Sequence, residues 1–351
     1  MDLTFPPVVE HAARTAREFV EAHLLPTAES GRRAPDRPRV LSDLASLVAE
    51  SPLAHFAVFR ELGRAPLPWA RIFMGAGLPF HDLSRLGGAA HQAGLISLAL
   101  GDPRRTPDPS TLTVGAMASR SHDATWVLEG VALAPGYLAP VDSLLVGARV
   151  EEGRQGHEGP EAAAFLVRLA ASVEPSSMDA DLVRVVMDGT PALMVERGEA
   201  AWELLRALRR HERLSQIALA VGAAGYAHES SLSAAREATA AKDALALGQG
   251  IQFQVADNAI DLQVAETLAL HCATLADTGA LTDADLSLTR FVVLEAFERV
   301  SRRSAHIAGL FAPTPPEWTR FFLDLARRLR LEGGAVELDR REAALGVLQN
   351  V

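Results

Sequence analysis

The stretch Ala192-Leu-Met-Val-Glu-Arg-Gly-Glu-Ala-Ala-Trp-Glu-Leu-Leu, residues 192–205, decides the fold, because the hydrophobic period changes inside it. Ahead of it, apolar residues come in short runs separated by Gly, Pro and Asp, which is the pattern of strands. Those runs are Leu95-Ile-Ser-Leu-Ala-Leu, Thr111-Leu-Thr-Val, Ala124-Thr-Trp-Val-Leu, Ser143-Leu-Leu-Val-Gly-Ala, Ala164-Phe-Leu-Val, Leu182-Val-Arg-Val-Val-Met and Ala192-Leu-Met-Val. Glu129-Gly130 reads as a turn, and the polar, glycine-rich residues 151–160 as an exposed hairpin tip. From Glu199 onward the period is helical. Trp202 to about Thr239 keeps Leu205, Leu208, Ile217, Val221 and Ala224 in phase. Phe253, Ala256, Ile260, Val264 and Leu268 form a second stripe, Leu286 to Leu310 a third helix and Trp318 to Leu331 a fourth. Four such helices are expected to bury their stripes in an antiparallel bundle.

Before the strands the chain is also helical. Val8 to Leu25 sets Val9, Ala12, Ala16, Phe19, Val20 and Leu24 near one face, and Pro26 stops it. A second helical pattern covers Ser42 to about Val48, and a third runs from Leu53 to Leu62 and ends at Gly63. The expected class is therefore α+β, mostly α. Residues 1–93 form a helical domain, 94–198 a small β domain and 199–351 a four-helix bundle.

Bulk chemistry narrows the function. The formal net charge of -10 disfavours nucleic acid and anionic membrane surfaces as partners. Arg209, Arg210 and Arg213 form no basic run, since acidic residues sit beside them in a helical segment. The one cysteine, Cys272, excludes an internal disulfide and a thiolate metal cluster within one chain, and its apolar setting reads as a buried structural thiol. Dispersed histidines, His55, His81 and His91 among them, give no metal-ligand spacing, so no metal is expected. There is no phosphate-binding glycine loop and no Gly-x-Ser-x-Gly elbow. The N-terminus lacks the basic and apolar regions of a secretory leader, and no apolar run is long enough to span a bilayer. A cytoplasmic protein is expected, and the Ala- and Arg-rich, Lys-poor composition points to a GC-rich bacterial genome.

Several strings carry a family resemblance. Phe59-Arg-Glu-Leu-Gly-Arg-Ala-Pro-Leu-Pro, Trp126-Val-Leu-Glu-Gly followed by Val141-Asp-Ser-Leu-Leu-Val-Gly-Ala, His211-Glu-Arg-Leu with Gly222 downstream, and Gln249-Gly-Ile-Gln-Phe-Gln-Val-Ala-Asp-Asn-Ala-Ile-Asp-Leu are similar to landmarks of the acyl-CoA dehydrogenase family. The resemblance extends over nearly the whole chain. It implies a dimer or tetramer with FAD between the β domain and the bundle, and an acyl-CoA or acyl-carrier thioester as substrate. A carboxylate base takes the α proton while the β hydrogen leaves as hydride to the flavin.

The family places that base at one of two positions. The commoner falls in Ile307-Ala-Gly-Leu-Phe-Ala-Pro-Thr-Pro-Pro-Glu-Trp, where the count lands near Pro315. Glu317 nearby reads as a first-turn acid at a helix start. The second lies on the first bundle helix just before an arginine, and Glu212-Arg213 matches it. As a surface pair, the same residues read as a solvated charged patch. The resemblance also implies cofactor contacts at Leu100, Gly101 and Thr106, at Ala134 and Gly136, at Gln249, and at Gly309, which stands in a glycine pair reduced to Ala308-Gly309. The family's flavin-contacting arginine falls here on Ala238, with Arg236 and Lys242 close by. Three readings stay open: a flavin-dependent dehydrogenase, a non-catalytic or half-site subunit of a heteromeric enzyme, and a flavin-independent enzyme on the same fold.

Overall fold

The computed structural model describes residues 5–25, 51–65, 96–99, 116–123, 125–135, 143–150, 161–168, 182–240, 248–311, 314–330 and 336–349. Helix α1 (Pro7–Phe19) runs on through one π-helical turn (Val20–Leu24), and α2 spans Pro52–Gly63. Six strands follow: β1 (Ile96–Ala99), β2 (Ala116–Arg120), β3 (Trp126–Pro135), β4 (Ser143–Val150), β5 (Glu161–Arg168) and β6 (Leu182–Arg197). The remainder is helical, with α3 (Glu199–Ala240), α4 (Gln249–Asp277), α5 (Asp283–Phe311), α6 (Glu317–Leu329) and α7 (Val336–Gln349). The chain is mostly helical with a small β region, as its periodicity predicts. The expected helix at 42–48 and the expected strand at Thr111 lie outside the described residues.

Contacts divide the chain into two compact units, and α3 contributes to both. One unit holds the sheet and residues 199–212. Its strand pairings run β1-β4-β2-β3-β6-β5 and close on themselves through an antiparallel β4–β5 pair in unbroken register from Ser143↔Arg168 to Val150↔Glu161. Leu144, Val146, Ala148, Ala163, Phe165, Val167 and Leu128 are fully buried. Both β4 and β5 are apolar in nearly every position, which marks strands covered on both faces.

Two sequence expectations change here. Glu129-Gly130 is not a turn but the middle of β3, and Leu182–Met187 and Ala192–Val195 are one strand rather than two. The reason is a bulge. The β3–β6 register slips between Leu128 and Gly130, and Asp188-Gly189 is the extra pair opposite it. Gly130 (φ 127°) and Gly189 (φ 60°) take backbone angles that a side chain would oppose, so each glycine bends a strand instead of ending it.

The other unit holds α1, α2, α3 from Arg213 onward, and α4 to α7. Helix α1 and its π-helical turn bury Val9, Ala12, Ala13, Ala16, Val20 and Leu24, the face expected from sequence with Ala13 added and Phe19 only half-buried. Residue Ser51 caps α2 by accepting a hydrogen bond from the Ala54 amide at 3.1 Å, and Pro52 opens the first turn. Almost all of α2 is buried, so it behaves as a core helix. It crosses α3 at backbone distance. A Cβ on Gly222 would overlap the Arg60 carbonyl oxygen, and one on Gly63 would overlap that of Leu219. Gly63 therefore ends a helix, as expected, and also admits a neighbouring one.

The second apolar stripe faces the other way from its expectation. Helix α4 buries Ile251, Asn258, Ala265, Ala269, Cys272 and Ala273, whereas Phe253, Ala256, Ile260 and Val264 are exposed and Leu268 is half-buried. Two apolar rows share this helix. The row of smaller residues turns inward because it lets α4 lie close to α5, with Asn258 donating to Ser304 Oγ at 3.1 Å. Helix α7 was not anticipated from the sequence.

The crossing of α2 and α3 gives a paired test. Gly222→Ala should destabilise the protein by about 1–3 kcal/mol, because the new methyl has only backbone to displace. Gly225→Ala, three residues on with nothing within 4 Å of its Cβ, should stabilise it by about 0.5–1 kcal/mol through helix propensity. Equilibrium urea unfolding measures both, and equal effects would contradict the crossing.

Candidate functional site

Helix α3 carries the sequence-predicted pair Glu212-Arg213, and the two residues have different fates. Arg213 points into the bundle and is buried. Its Nη1 donates to Ser287 Oγ at 3.0 Å and to Glu342 Oε2 at 2.9 Å, and its Nη2 lies 3.2 Å from Asp339 Oδ1. Ser287 Oγ donates to the same Glu342 oxygen at 2.5 Å. Asp339 is shared with Arg290, the largest fully buried side chain among the described residues. Arg290 Nε donates to Gln216 Oε1 and Nη2 to the Leu329 carbonyl, both at 2.8 Å.

Two guanidiniums and two carboxylates thus balance in charge, contributed by α3, α5 and α7, with α6 adding a carbonyl from its end. Burial pushes the Asp339 carboxyl above its ordinary range, against the pull of both arginines. Sequence reasoning missed this network. Its only signal was charge at positions a bundle helix should bury, such as Arg290 four residues after Leu286.

Glu212 is half-buried, one helical step of about 100° from Arg213, so it does not share the arginine's direction. On its other side, His211 Nε2 is shut off from solvent, and burial pushes the imidazole down to about 4. The histidine beside the carboxylate is therefore neutral near pH 7. What remains is a carboxylate on a rigid helix whose next residue is locked, an arrangement able to accept a proton.

The cofactor candidates divide between the units. In the helical unit, Ile251, Ile307 and Ala235 form one apolar knot with Val255 and Phe311 packed against it. The knot joins the end of α3, the start of α4 and the end of α5. Gln249 and Gly309 flank it two residues away on α4 and α5, and both are exposed, with open space around Gly309. Arg236 and Ala238 belong to the same end of the bundle, Arg236 exposed and Ala238 half-buried. An exposed amide, an approachable glycine and an exposed guanidinium fit a polar anionic group such as that of a flavin dinucleotide. In the sheet unit, Ala134 lies in β3 opposite Val183. Leu100, Gly101, Thr106 and Gly136 lie outside the described residues.

Other polar clusters are sealed. His55 Nε2 and Ser215 Oγ are 2.6 Å apart, and the ring stacks on Phe59 at 4.3 Å between centroids. Both residues are fully buried, so this Ser–His pair ties α2 to α3 and meets no substrate. Glu61 is buried beneath Arg17 and Arg60. Burial opposes its charge, yet hydrogen bonds and charge from those arginines hold the carboxyl below its ordinary range. Glu317 opens α6 in its first turn, the place expected for it. Among the described residues, no group of three or more His, Cys, Asp or Glu side chains is placed to hold a metal ion, and no helix is long and apolar enough to cross a membrane.

Comparison with known proteins assigns this architecture. Residues 201–348 match the family model described as acyl-CoA dehydrogenase, C-terminal domain. The chain superposes on butyryl-CoA dehydrogenase from Megasphaera elsdenii with a TM-score of 0.81 and 17% identity, covering 99% of this chain and 100% of that one. On the ChsE4-ChsE5 complex from Mycobacterium tuberculosis the TM-score is 0.76 at 18% identity, covering 99% of each chain. PigA, solved with FAD and proline, gives 0.81 at 14% identity and 100% coverage of both. No significant match was found among curated protein sequences. Residues 201–348 therefore match the acyl-CoA dehydrogenase C-terminal domain, and the whole chain has the fold of these solved structures.

The buried network yields a stability test. Asp339→Ala leaves two guanidiniums facing each other without their shared carboxylate and should cost about 3–5 kcal/mol. Replacing Arg290 with Met and Asp339 with Leu together should cost much less than the two single changes added. Additive losses in denaturant unfolding would mean that the pair is not coupled.

Proposed function

We propose that the chain removes hydrogen across the α,β bond of an acyl thioester, carried on coenzyme A or an acyl carrier, with Glu212 as the base and FAD as the acceptor. The observation that carries this reading is the place of Glu212, a half-buried carboxylate on α3 directly before Arg213, whose guanidinium is held by ion pairs. Proton abstraction next to a thioester carbonyl needs a carboxylate held in place and screened from bulk water. Glu212 takes the α proton. Arg213 acts as a positioning residue, because its ion pairs fix the helix turn from which Glu212 projects.

FAD, when bound, supplies the acceptor for the β hydrogen. On the helical unit Gln249, Gly309 and Arg236 would hold it. The family resemblance also implies contacts from Leu100, Gly101, Thr106, Ala134 and Gly136. The reading draws support from similar structures, one named a butyryl-CoA dehydrogenase and another solved with FAD. A cytoplasmic oligomer, with the chain divided at 1–93, 94–198 and 199–351, belongs to the same proposal.

One observation favours a second reading. Ala238 stands where the family resemblance calls for a flavin-contacting arginine, as in a half-site subunit that pairs with a fuller homologue. The ChsE4-ChsE5 complex is a similar structure made of two different chains.

Colour and turnover separate the two. Purified alone, the protein should be yellow with near-stoichiometric flavin and should oxidise an acyl-CoA in a dye-linked assay. Glu212→Gln should keep the colour and lose about 10²–10⁴-fold in kcat. Unchanged turnover would remove Glu212 as the proton acceptor. A colourless chain that becomes yellow only when co-produced with a homologue would establish the half-site reading instead.

A further inference from the structure

Two polar atoms inside the ion network keep a hydrogen-bonding capacity that the described residues do not fill. They belong to Gln216 and Asp339, both fully buried. Arg290 Nε can only donate, so its bond at 2.8 Å fixes Oε1 as the Gln216 atom that faces it. The amide is thereby oriented, and its Nε2, with two hydrogens to give, points elsewhere. Among the described residues Nε2 has no hydrogen-bond partner. Asp339 is half-served in the same way. Its Oδ2 accepts from Arg290 Nη1, whereas Oδ1 accepts no hydrogen bond. Arg213 Nη2 lies 3.2 Å from Oδ1, as an ion pair without hydrogen-bond alignment. The two atoms belong to one place. Gln216 and Asp339 grip the same guanidinium, and Gln216 stands three residues after Arg213, on the same face of α3. Protein interiors rarely leave such atoms unmet, because each would forfeit the hydrogen bonds it had in water.

We propose that the network is a binding site for a single ordered water molecule, which accepts a hydrogen bond from Gln216 Nε2 and donates one to Asp339 Oδ1. Valence and charge select this ligand. The site needs an acceptor for an N–H and a donor for a carboxylate oxygen, and water is the smallest molecule that is both. An ion of either sign is excluded. Arg213 and Arg290 already balance Asp339 and Glu342, so an added ion would leave a net charge buried. A cation would also face the Nε2 hydrogens, and an anion the Asp339 carboxylate. Protonation of Asp339 is no substitute, because a hydrogen on Oδ1 would point toward Arg213 Nη2, another donor. Buried waters commonly make about three hydrogen bonds, and Arg213 Nη2 is the nearest further donor to Oδ1. The water joins Gln216 on α3 to Asp339 on α7, a link beside the direct Arg213 pairs. The inference is independent of the catalytic reading, since it uses neither Glu212 nor a bound cofactor.

Two measurements on the full chain test it. A crystal structure at atomic resolution should show one well-ordered water peak within hydrogen-bond distance of both Gln216 Nε2 and Asp339 Oδ1. In solution, oxygen-17 magnetic relaxation dispersion counts long-lived internal waters. Gln216→Met keeps the length of the side chain but removes its N–H groups, so the variant should hold one long-lived water fewer than the parent, with an unchanged circular dichroism spectrum. The crystal measurement uses the parent protein and decides the matter even where Gln216→Met fails to fold. The proposal is overturned by a parent crystal with no peak there, by Gln216 Nε2 bonded directly to Asp339, or by a peak with the scattering and coordination of an ion. An equal water count in a folded Gln216→Met would overturn it as well.

Discussion

The helical unit depends on one shared carboxylate. Asp339 lies between Arg213 and Arg290 with no exposed surface; Arg290 stands 49 residues before it in the chain, and Arg213 also pairs with Glu342, 129 residues away. Charges taken out of water cost several kcal/mol each unless every lone pair and proton finds a partner. Here the partners are Gln216, Ser287, Glu342 and the Leu329 carbonyl, so the cost is offset only when α3, α5, α6 and α7 are all in register. Apolar packing around Phe297 and Phe322 would tolerate small slides between helices, but a guanidinium with assigned donors does not.

The same constraint reaches the candidate chemistry. Arg213 belongs to the network and Glu212 precedes it, so fixing one fixes the backbone that carries the other. A residue that reads as half of a catalytic pair is thereby an anchor, and the carboxylate beside it gains a defined position. The Gly222 and Gly63 crossing adds a second constraint on the same helix. With α2 at backbone distance, α3 is held between a close steric contact and an ion network.

Much of the fold was legible because the relevant forces are local. Gly63 and Pro52 bracket α2, the proline pair at 315–316 stops the chain before Glu317 begins α6, and the apolar rows of α1 and α5 mark their buried faces. What escaped depends on distant partners. Two apolar rows on α4 look alike in sequence, and only the presence of α5 decides that the row of smaller residues turns inward. Glycines 130 and 189 look like turns until their strands are paired, at which point they become a bulge. The network could not be read at all, since a buried arginine and a surface arginine are written with the same letter. For the candidate site, the sequence put Glu212-Arg213 on the first bundle helix and Gln249 at a helix start, but it did not bring Gln249 and Gly309 to one end of the bundle. It gave Arg213 a chemical role without its structural one.

The central claim is that Glu212 takes a proton from the α carbon of an acyl thioester, and exchange measures this without requiring full turnover. The flavin-loaded protein, held without oxygen or electron acceptor in D2O, is incubated with a saturated acyl-CoA, and the thioester is followed by mass spectrometry. The account predicts deuterium entering at the α carbon with the parent protein and none above background with Glu212→Gln. Equal exchange by both proteins, or no exchange by a flavin-loaded parent that binds the thioester, would contradict it.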